Sequence, residues 1–332
     1  MTVVKAILSN FLAFIMAIFL TAFPYKGVEL PILNTAKDDC KLVVEMISDT
    51  HIEEKELIRQ TFMKAGFRNL SRASTKVDAV VVAGDLTNYA DEPSLAKYYE
   101  ILDKYSPAKA ISCAGNHDIG HAGDRNVTDI SREEAKANFI RYNNAYLGID
   151  ARDTYYSYEV NGYRFIALGD ICYDGGHWDA MDLGEEQLAF LDSELAAANA
   201  ENKPAFVVCH WPVDGINGEE TIWPGSGIDL SVNDVKSVME KYDNVFYISG
   251  HMHAGIKSTA VDEKYDLACV ETVNGVTYIN LPTYGLVNSF GDPGSATGMQ
   301  LEVYDDEVII RPRNFITNAW YTNAVYTISL AG

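Results

Sequence analysis

The sequence predicts an α/β fold whose β-sheets are mixed. Short apolar runs rich in β-branched residues recur along the chain, each ending at a Gly, His or Asp, which is typical of buried strands. Amphipathic helical patterns lie between these runs, and strands that alternate with helices indicate an α/β architecture. Two Asn-Gly pairs between strand-like segments also indicate tight antiparallel hairpins. We therefore expect parallel and antiparallel pairing in the same protein.

The first 26 residues differ in composition from the rest of the chain. Lys5 is followed by an uncharged stretch from Ala6 to Phe23, and Lys26 comes shortly after it. A short basic start before an apolar segment is typical of a signal peptide or of an N-terminal membrane anchor. The stretch is at the lower limit of the roughly 17–25 residues that span a bilayer. Both interpretations stay open, and each predicts an exported or cell-surface protein, anchored by residues 6–23 if the segment is not cleaved. A buried helix in a soluble fold is a less favoured third interpretation, because the stretch has no polar face.

Residues 27–41 are predicted to be a linker, and residues 42–332 a single domain without internal repeats. Five runs are predicted as buried strands: Leu42–Ser48, Ala79–Ala83, Ala110–Ala114, Ala205–Cys209 and Val245–Ser249. Five segments are predicted as helices: Glu53–Arg72, Pro93–Tyr105, Ser131–Leu147, Gly184–Asn199 and Ser231–Tyr242. The run Glu53–Glu56 is expected to be a solvated first helical turn.

Three hairpins are expected in addition. Asn161–Gly162 lies between Tyr155–Val160 and Tyr163–Leu168, and Asn274–Gly275 lies between Ala268–Val273 and Val276–Leu281. The third is formed near the end of the chain by segments that flank Asp305–Asp306. No Gly-x-Gly-x-x-Gly or Walker-type loop follows any strand, so a nucleotide-binding fold of those types is not indicated.

Charge and cysteine content restrict the function. The formal net charge is −21, from 26 basic and 47 acidic side chains. Such a surface repels a phosphate polymer, so a nucleic acid polymer is not an expected partner. A small phosphate ester is still compatible, because bound cations reverse the local field. The five cysteines show no CxxC spacing, which argues against a structural zinc module. The sequence does not predict an oligomeric state.

The histidines carry the clearest functional signal. Five of the seven come at the ends of strand-like runs, beside a Gly, Asp, Asn or Cys, where α/β sheets bind ligands. The segments that contain them, or that follow a neighbouring strand, are ISDTH (47–51), AGDLTN (83–88), AGNHD (114–118), CHWP (209–212) and SGHMH (249–253). Imidazole and carboxylate ligands together suit Zn, Fe or Mn. Because no cysteine is among them, a catalytic metal site is predicted rather than a structural one.

Backbone geometry supports the same interpretation. Strand alternation would place Asp49 and His51 on the same side, and likewise His251 and His253, so that one metal could take a ligand from each pair. The chain can turn after the strand ends, which weakens this argument. A Gly lies directly before Asp85, before Asn116 and before His251. It permits a sharp turn out of the sheet at each position.

These five blocks, in this order, resemble the calcineurin-like metallophosphoesterase family, whose pattern runs DxH, GDxxx, GNHD/E, a strand-terminal His and GHxH. The resemblance covers most of the chain after the linker. It implies a four-layer αββα sandwich with two mixed β-sheets, here preceded by an N-terminal apolar helix. The metal site would lie at the strand ends between the two sheets.

The resemblance also implies roles for individual residues. One metal would be held by Asp49, His51, Asp85 and His253, and the other by Asp85, Asn116, His210 and His251. Asp85 would bridge two divalent or trivalent ions, with Mn, Fe and Zn all open. A hydroxide between the metals would attack phosphorus. His117 corresponds to the histidine that is not a ligand, and we take it as the general acid.

Departures from the family pattern narrow the subfamily. Protein phosphatases of this superfamily carry an Asp, three residues after the bridging Asp, that orients the acid histidine, and purple acid phosphatases carry a Tyr there. This chain has Asn88. Purple acid phosphatases also read DxG where this chain has His51. The bacterial-type group remains, with a phosphodiester, cyclic nucleotides included, slightly favoured as the substrate.

Other functions remain as alternatives. One is phosphomonoester hydrolysis by the same mechanism, and another is a non-hydrolytic, metal-binding or membrane-anchored interaction protein. The segment Val213–Asp229, which contains Trp223 and follows His210, is either a lid over the metals or an ordinary exposed loop.

Overall fold

The computed structural model describes residues 2–22, 36–72, 76–119, 130–170, 181–231, 233–256, 269–285, 288–289, 294–322 and 324–331. Its strands form two six-stranded sheets. In chain order they are β1 (Leu42–Ile47), β2 (Ala79–Ala83), β3 (Ala110–Cys113), β4 (Tyr156–Val160), β5 (Tyr163–Ala167), β6 (Ala205–Val208), β7 (Val245–Ser249), β8 (Val270–Val273), β9 (Val276–Asn280), β10 (Thr297–Val303), β11 (Glu307–Asn314) and β12 (Tyr326–Ser329). The five predicted buried strands are thereby confirmed.

Both sheets are mixed, as predicted. In the order β12-β11-β10-β1-β2-β3, the first sheet pairs β1, β2 and β3 in parallel, and the other three strands run antiparallel to their neighbours. In the order β4-β5-β6-β7-β9-β8, the second sheet has four parallel central strands and an antiparallel strand at each edge. The carboxyl ends of the parallel strands in each sheet therefore lie along one edge of that sheet.

The hairpins follow from their turn residues. Asn161 and Gly162 join β4 to β5 with φ of 52° and 77°, and Asn274 and Gly275 join β8 to β9 with φ of 49° and 88°. Two consecutive positive φ angles match the turn that suits the twist of a two-residue hairpin, and Asn-Gly adopts them readily. The hairpin between β10 and β11 is also confirmed.

The main core between the sheets is built by strand alternation. Leu42, Val44 and Met46 of β1 are buried in the same apolar cluster as residues of β5, β6 and β7 in the other sheet. Phe206 continues this layer, with its ring 5.0 Å from that of Phe165. Burial of a side chain of this size stabilises the fold by about 1.5–3 kcal/mol. Alternate strand residues lie in a second cluster together with helical residues.

Helices flank the sheets, and most begin and end close to the predicted residues. They are α1 (Thr2–Ala22), α2 (Leu57–Leu70), α3 (Glu92–Tyr105), α4 (Arg132–Leu147), α5 (Gly184–Ala200), α6 (Glu219–Ile222) and α7 (Val235–Met239). Ser131 caps α4 by accepting a hydrogen bond from the Glu134 amide at 3.2 Å. The predicted fold class of two mixed sheets with flanking helices is confirmed.

Two helix predictions were wrong in their bounds. The described residues of 231–242 contain only the short helix α7. Asp234 caps its start, and after Met239 the Lys241 and Tyr242 amides donate to carbonyls three residues back instead of four. The run Glu53–Glu56 precedes α2 instead of forming its first turn. The Glu56 carboxylate caps the helix by accepting from the Ile58 and Arg59 amides at 2.7 and 2.8 Å, which fixes the helix start after it.

The N-terminal helix α1 packs against the domain. Ala13 and Ala17 are fully buried, and the Phe14 ring lies edge-on to Phe62 of α2 at 6.5 Å. The Asn10 side-chain oxygen accepts a hydrogen bond from the Ser295 amide at 3.1 Å. In the described part of the chain, no helix combines the length and hydrophobicity needed to cross a membrane. Residues 23–35, which include most of the predicted linker, lie outside the described residues.

Candidate metal centre

The loops that follow five parallel strands bring the predicted site residues together. Asp49 and His51 follow β1, Asp85 follows β2, and Asn116 and His117 follow β3. His210 follows β6, and His251 and His253 follow β7. Residues from both sheets therefore meet at one place, the carboxyl ends of the strands, where ligand sites in such sheets occur.

Four of these residues form what we call the first cluster: Asp49, His51, Asp85 and His253. One ligand atom from each lies within 4.8 Å of the others. His253 Nε2 is 3.1 Å from Asp49 Oδ1 and 3.3 Å from His51 Nε2. His51 Nε2 is also 3.6 Å from Asp85 Oδ2. Asp49, His51 and Asp85 are buried, whereas the His253 side chain is 25% exposed.

The second cluster consists of Asp85, Asn116, His210 and His251. His210 Nε2 lies at its centre, 3.2 Å from Asn116 Oδ1, 3.2 Å from His251 Nδ1 and 3.3 Å from Asp85 Oδ1. All four residues are buried. The two carboxylate oxygens of Asp85 therefore contact different clusters, Oδ2 the first and Oδ1 the second.

These spacings fit metal coordination better than hydrogen bonding among the side chains. Ligand bonds of about 2.0–2.2 Å place neighbouring ligand atoms roughly 3.0–3.6 Å apart in tetrahedral or octahedral geometry. In each cluster, two imidazole nitrogens face each other within 3.3 Å. Asp49 Oδ1 is buried, and its contact with His253 Nε2 at 3.1 Å lacks the alignment of a regular hydrogen bond. Oxygen and imidazole donors together suit borderline cations such as Zn, Fe or Mn.

The backbone at this site is strained. Asp49, His51, Asp85, His251 and His253 all have positive φ, between 46° and 69°, although none is a glycine. Each such residue is disfavoured by about 1–3 kcal/mol and persists only where the surrounding structure holds it, commonly at functional sites. Strand alternation is therefore not what brings Asp49 and His51 together. The chain turns at both residues after β1 has ended at Ile47.

Two glycines allow the loops to approach each other. A Cβ at Gly115 would collide with Asp85, and a Cβ at Gly250 would collide with the Ser48 hydroxyl and the Asp49 carboxylate. The glycines directly before Asn116 and His251 therefore make room for a ligand on a neighbouring strand. Neither of these two has a positive φ, so close approach is the reason for them rather than a left-handed turn.

Each cluster contains one histidine of lowered pKa and one of raised pKa. In the first cluster, the Asp49 carboxylate raises the pKa of His253 against the effect of burial. Burial lowers the pKa of His51, and likewise that of His251, to about 3. Burial alone would also lower the pKa of His210, but the adjacent Asp85 carboxylate raises it to about 9. Burial would raise the pKa of Asp85. The neighbouring histidines, His210 above all, nevertheless hold that pKa well below its usual range. Before any metal binds, a proton on His210 therefore compensates the Asp85 charge.

His117 lies beside the first cluster. Its ring is perpendicular to that of His51, with centroids 4.9 Å apart. Nδ1 is 2.9 Å from the Asn88 carbonyl oxygen, and Nε2 is 3.9 Å from Asp85 Oδ2. Because a carbonyl only accepts, Nδ1 carries the donated proton. Nε2 then points toward the clusters from a side chain that is 25% exposed.

Asp118 supports the site, and the sequence interpretation gave it no role. Its buried carboxylate accepts from the amides of Leu86, Thr87 and Gly115 at 2.8–2.9 Å. It thereby joins the loop after β2 to the loop after β3 and fixes Asp85 relative to Asn116. Burial raises the pKa of Asp118 to about 6. Its place directly after His117 in the AGNHD segment was the available signal.

The segment after His210 is a closed loop rather than an extended exposed one. The Ile228 amide donates to the Pro212 carbonyl at 2.8 Å, which closes its base. Buried Glu219 accepts from the amides of Gly215 and Ser226 at 3.2 and 3.0 Å, which holds its interior. Trp223 stacks on the His251 ring, with centroids 5.1 Å apart and planes 7° apart. The loop therefore covers the second cluster from one side.

Comparison with known proteins agrees with this geometry. The sequence model of the calcineurin-like phosphoesterase family matches residues 44–255, a span that contains every site residue named above. The chain belongs to the calcineurin-like phosphoesterase family. No curated protein matches it significantly.

The chain is also similar to solved structures, and a dimetal phosphatase among them supports the fold. A dimetal phosphatase from Danio rerio matches this calcineurin-like phosphoesterase with a TM-score of 0.55 at 16% identity, covering 88% of this chain and 100% of its own. Vacuolar protein sorting 29 from Cryptosporidium parvum matches with a TM-score of 0.40 at 12% identity, covering 88% and 98%. A cold-active protein-tyrosine phosphatase from a Shewanella species matches with a TM-score of 0.34 at 14% identity, covering 92% and 86%.

The predicted family and enzyme class are thereby confirmed. This calcineurin-like phosphoesterase is a hydrolase that acts on phosphoester bonds, and its acidic and histidine side chains are arranged to hold metal ions.

Proposed function

We propose that this phosphoesterase hydrolyses a small phosphodiester with two metal ions, one in each cluster, and with Asp85 between them. The observation that supports this most directly is the position of the Asp85 carboxylate. Its two oxygens lie 3.6 and 3.3 Å from His51 and His210, which belong to different clusters. A carboxylate in that position can bind one ion through each oxygen.

Asp49, His51 and His253 would complete the first ion's protein ligands, and Asn116, His210 and His251 those of the second. When bound, two such ions polarise phosphoryl oxygens and lower the pKa of a shared water, so that hydroxide is available near neutral pH. The chain supplies the rest. Burial restricts the movement of the His51, His210 and His251 rings, and the Trp223 ring covers one face of His251.

His117 is proposed as the general acid. Its Nε2 is the ring nitrogen that faces the clusters, while Nδ1 is held by the Asn88 carbonyl. A proton on Nε2 would pass to the leaving oxygen as the bond from that oxygen to phosphorus breaks. In a His117→Ala variant, an ester with a poor leaving group should lose far more activity than one with a good leaving group. Equal losses on the two esters would count against proton donation.

Charge supports the diester over the monoester. A phosphodiester carries one negative charge and a phosphomonoester up to two, so a chain with a net charge of −21 repels the diester less. Cyclic nucleotides are included in the proposed class. A phosphomonoester is the alternative substrate for the same site.

One assay decides between these functions. Purified protein is incubated with Mn and either bis-p-nitrophenyl phosphate or p-nitrophenyl phosphate, beside an Asp85→Asn control. We expect diester hydrolysis that Asp85→Asn abolishes. Turnover of the monoester alone would reject the diester. No turnover of either, with the metals bound, would favour the non-hydrolytic interaction protein.

We also propose that α1 attaches the enzyme to a membrane surface. The face of α1 that points away from the domain exposes large apolar side chains, between 43% and 69% of each: Ile7, Leu8, Phe11, Leu12, Ile18 and Phe19. No charged residue occurs between Ala6 and Pro24. One side of this helix packs on the domain, and the other presents apolar side chains outward. Such an apolar face suits the interfacial region of a bilayer.

Vesicle sedimentation tests this attachment. The full chain should sediment with phosphatidylcholine–phosphatidylglycerol vesicles, and Phe11→Ser with Phe19→Ser should reduce the bound fraction without changing hydrolysis in solution. Equal sedimentation of wild type and variant would contradict a membrane role for this face.

A further inference from the structure

We infer that Glu53 and Asn88 are positioning residues for His117, an assignment that rests on the proposed phosphoester hydrolysis and on His117 as its acid. The inference comes from an unbroken series of contacts on one side of the first cluster. Neither residue belongs to the proposed metal ligands, and the two side chains are hydrogen-bonded to each other. Both lie on the segments that directly follow β1 and β2.

The first contact is between His117 and the main chain of Asn88. The Asn88 carbonyl oxygen lies 2.9 Å from His117 Nδ1, which donates to it. This bond fixes the ring orientation, and in the neutral ring it fixes the tautomer with the proton on Nδ1. Nε2 is then the ring nitrogen turned toward the clusters. A carbonyl is neutral, so it orients the ring without placing a negative charge beside it.

The second contact holds Asn88 itself. Its side-chain amide donates to Glu53 Oε1 at 2.8 Å. The same oxygen accepts from Arg59 Nη1 at 3.0 Å, and Arg59 Nη1 also donates to the His51 carbonyl oxygen at 2.9 Å. Glu53 therefore lies between a fixed cation and the residue that orients His117. The Glu53 and Arg59 side chains are 29% and 19% exposed, so solvent competes only in part.

The backbone makes this arrangement stiff. The Ile52 amide donates to the Leu86 carbonyl at 2.9 Å, and Ile52 pairs with Thr87 in a parallel bridge. The segment before Glu53 and the segment before Asn88 are thus joined as a short extension of the sheet. Glu53 and Asn88 stand side by side because of that extension, one residue beyond it on each segment.

Removal of the Glu53 carboxylate should therefore act through His117. The Asn88 amide would lose its acceptor, the Asn88 main chain would gain freedom, and the His117 ring would sample orientations in which Nε2 does not face the leaving oxygen. Proton donation matters most for a poor leaving group and little for a good one. A positioning role consequently predicts a loss that depends on the leaving group, which a general loss of stability does not produce.

The experiment compares kcat and KM for a series of aryl phosphodiesters whose leaving phenols range from strongly acidic to weakly acidic. We expect Glu53→Ala to lose roughly 10- to 100-fold in kcat on the poorest leaving group, within the roughly 10²–10⁴-fold range of general acid catalysis. The loss on the best leaving group should be less than about threefold, and KM should change little. Glu53→Gln keeps an oxygen acceptor for Asn88 and should recover most of the activity.

Two further variants separate positioning from folding. Glu54→Ala is the matched control, because the Glu54 side chain is more exposed and its ion pair with Lys55, at 3.7 Å, lies at the surface. Asn88→Ala removes the same contact from the other side, so the Glu53→Ala/Asn88→Ala double variant should be no worse than either single variant. Additive losses in the double variant would contradict a shared role.

The outcomes distinguish this inference from the function on which it rests. If wild type hydrolyses none of the esters, the proposed function fails. If wild type hydrolyses them and His117→Ala shows the leaving-group dependence while Glu53→Ala does not, only the positioning role is rejected. Equal losses across the whole series for Glu53→Ala, with an unchanged thermal midpoint, would also reject it.

Discussion

The two clusters share Asp85 but differ in access. In the second cluster every side chain is buried, and the Trp223 ring covers His251. In the first cluster His253 is 25% exposed, and beside it His117 is exposed to the same extent. Among the residues that the structure describes, the second cluster is therefore closed to solvent, and substrate can reach the site only from the side of the first cluster. We expect the leaving group to be placed on the first cluster's side, next to the proposed acid.

The clusters resemble each other in protonation before metal arrives. Burial lowers the pKa of His51 in the first and of His251 in the second to about 3. The Asp49 carboxylate raises the pKa of His253 in the first, and the Asp85 carboxylate raises that of His210 in the second to about 9. An ion that enters either cluster therefore competes with a proton on one histidine. Access is what distinguishes the two clusters.

The largest predicted difference concerns loss of one histidine from each cluster. His253→Ala and His210→Ala should each reduce hydrolysis by more than the roughly 10–100-fold that loss of an outer partner causes. Imidazole added to the assay should restore part of the activity of His253→Ala, because solvent reaches that position. It should not restore His210→Ala, which is fully buried. Equal rescue of both variants would show that the two clusters do not differ in access.

The next prediction concerns pH. Because His210 must lose its proton to bind a metal, the affinity for metal should rise by up to about tenfold per pH unit from pH 7 until about pH 9, and then level off. Calorimetric titration of metal-free protein at pH 7.5, in two buffers of different ionisation enthalpy, should show about one proton released as the second cluster fills. The His210→Ala variant should release none for that step. Proton release that persists in this variant would contradict the assignment.

The smallest predicted effect concerns the cover of the second cluster. Trp223→Ala should lower the free energy of unfolding by about 1 kcal/mol through the lost ring stacking, and reduce kcat several-fold. Trp223→Phe keeps an aromatic ring against His251 and should behave close to wild type. Thermal unfolding and hydrolysis rates measure both. If Trp223→Ala left both the stability and the hydrolysis rate unchanged, the loop would not be a cover that hydrolysis requires.

Much of the fold could be predicted from the sequence, because its signals are local. Buried parallel strands give continuous apolar runs such as Ala79–Ala83, and Asn-Gly pairs specify hairpins, so these elements were recognisable. The start of α2 was not, since a Glu at position 56 acts there as an N-cap, a role usually taken by shorter side chains. The edge strand β12 was also missed, because its residues are only half buried.

The site divides in the same way. The position of the motif residues at strand ends could be predicted, because each of them directly follows an apolar run in the sequence. Their division between clusters depends on positive φ at residues such as Asp49 and His251, and side-chain alternation does not predict that geometry. Asp118 and Glu53 were not assigned roles, because their contacts join segments that are distant in sequence. For the loop that contains Trp223, a lid and an exposed loop both stayed open, because the stacking of Trp223 on His251 depends on how the loop closes.

The most direct test of the central claim is the electron paramagnetic resonance spectrum of the protein reconstituted with Mn²⁺, together with the number of ions bound per chain. Two ions that share the Asp85 carboxylate should give an exchange-coupled spectrum at two Mn²⁺ per chain. Asp85→Asn should lose the coupling and bind at least one ion fewer. A wild-type protein that binds a single uncoupled Mn²⁺ while it hydrolyses phosphoesters would contradict the account.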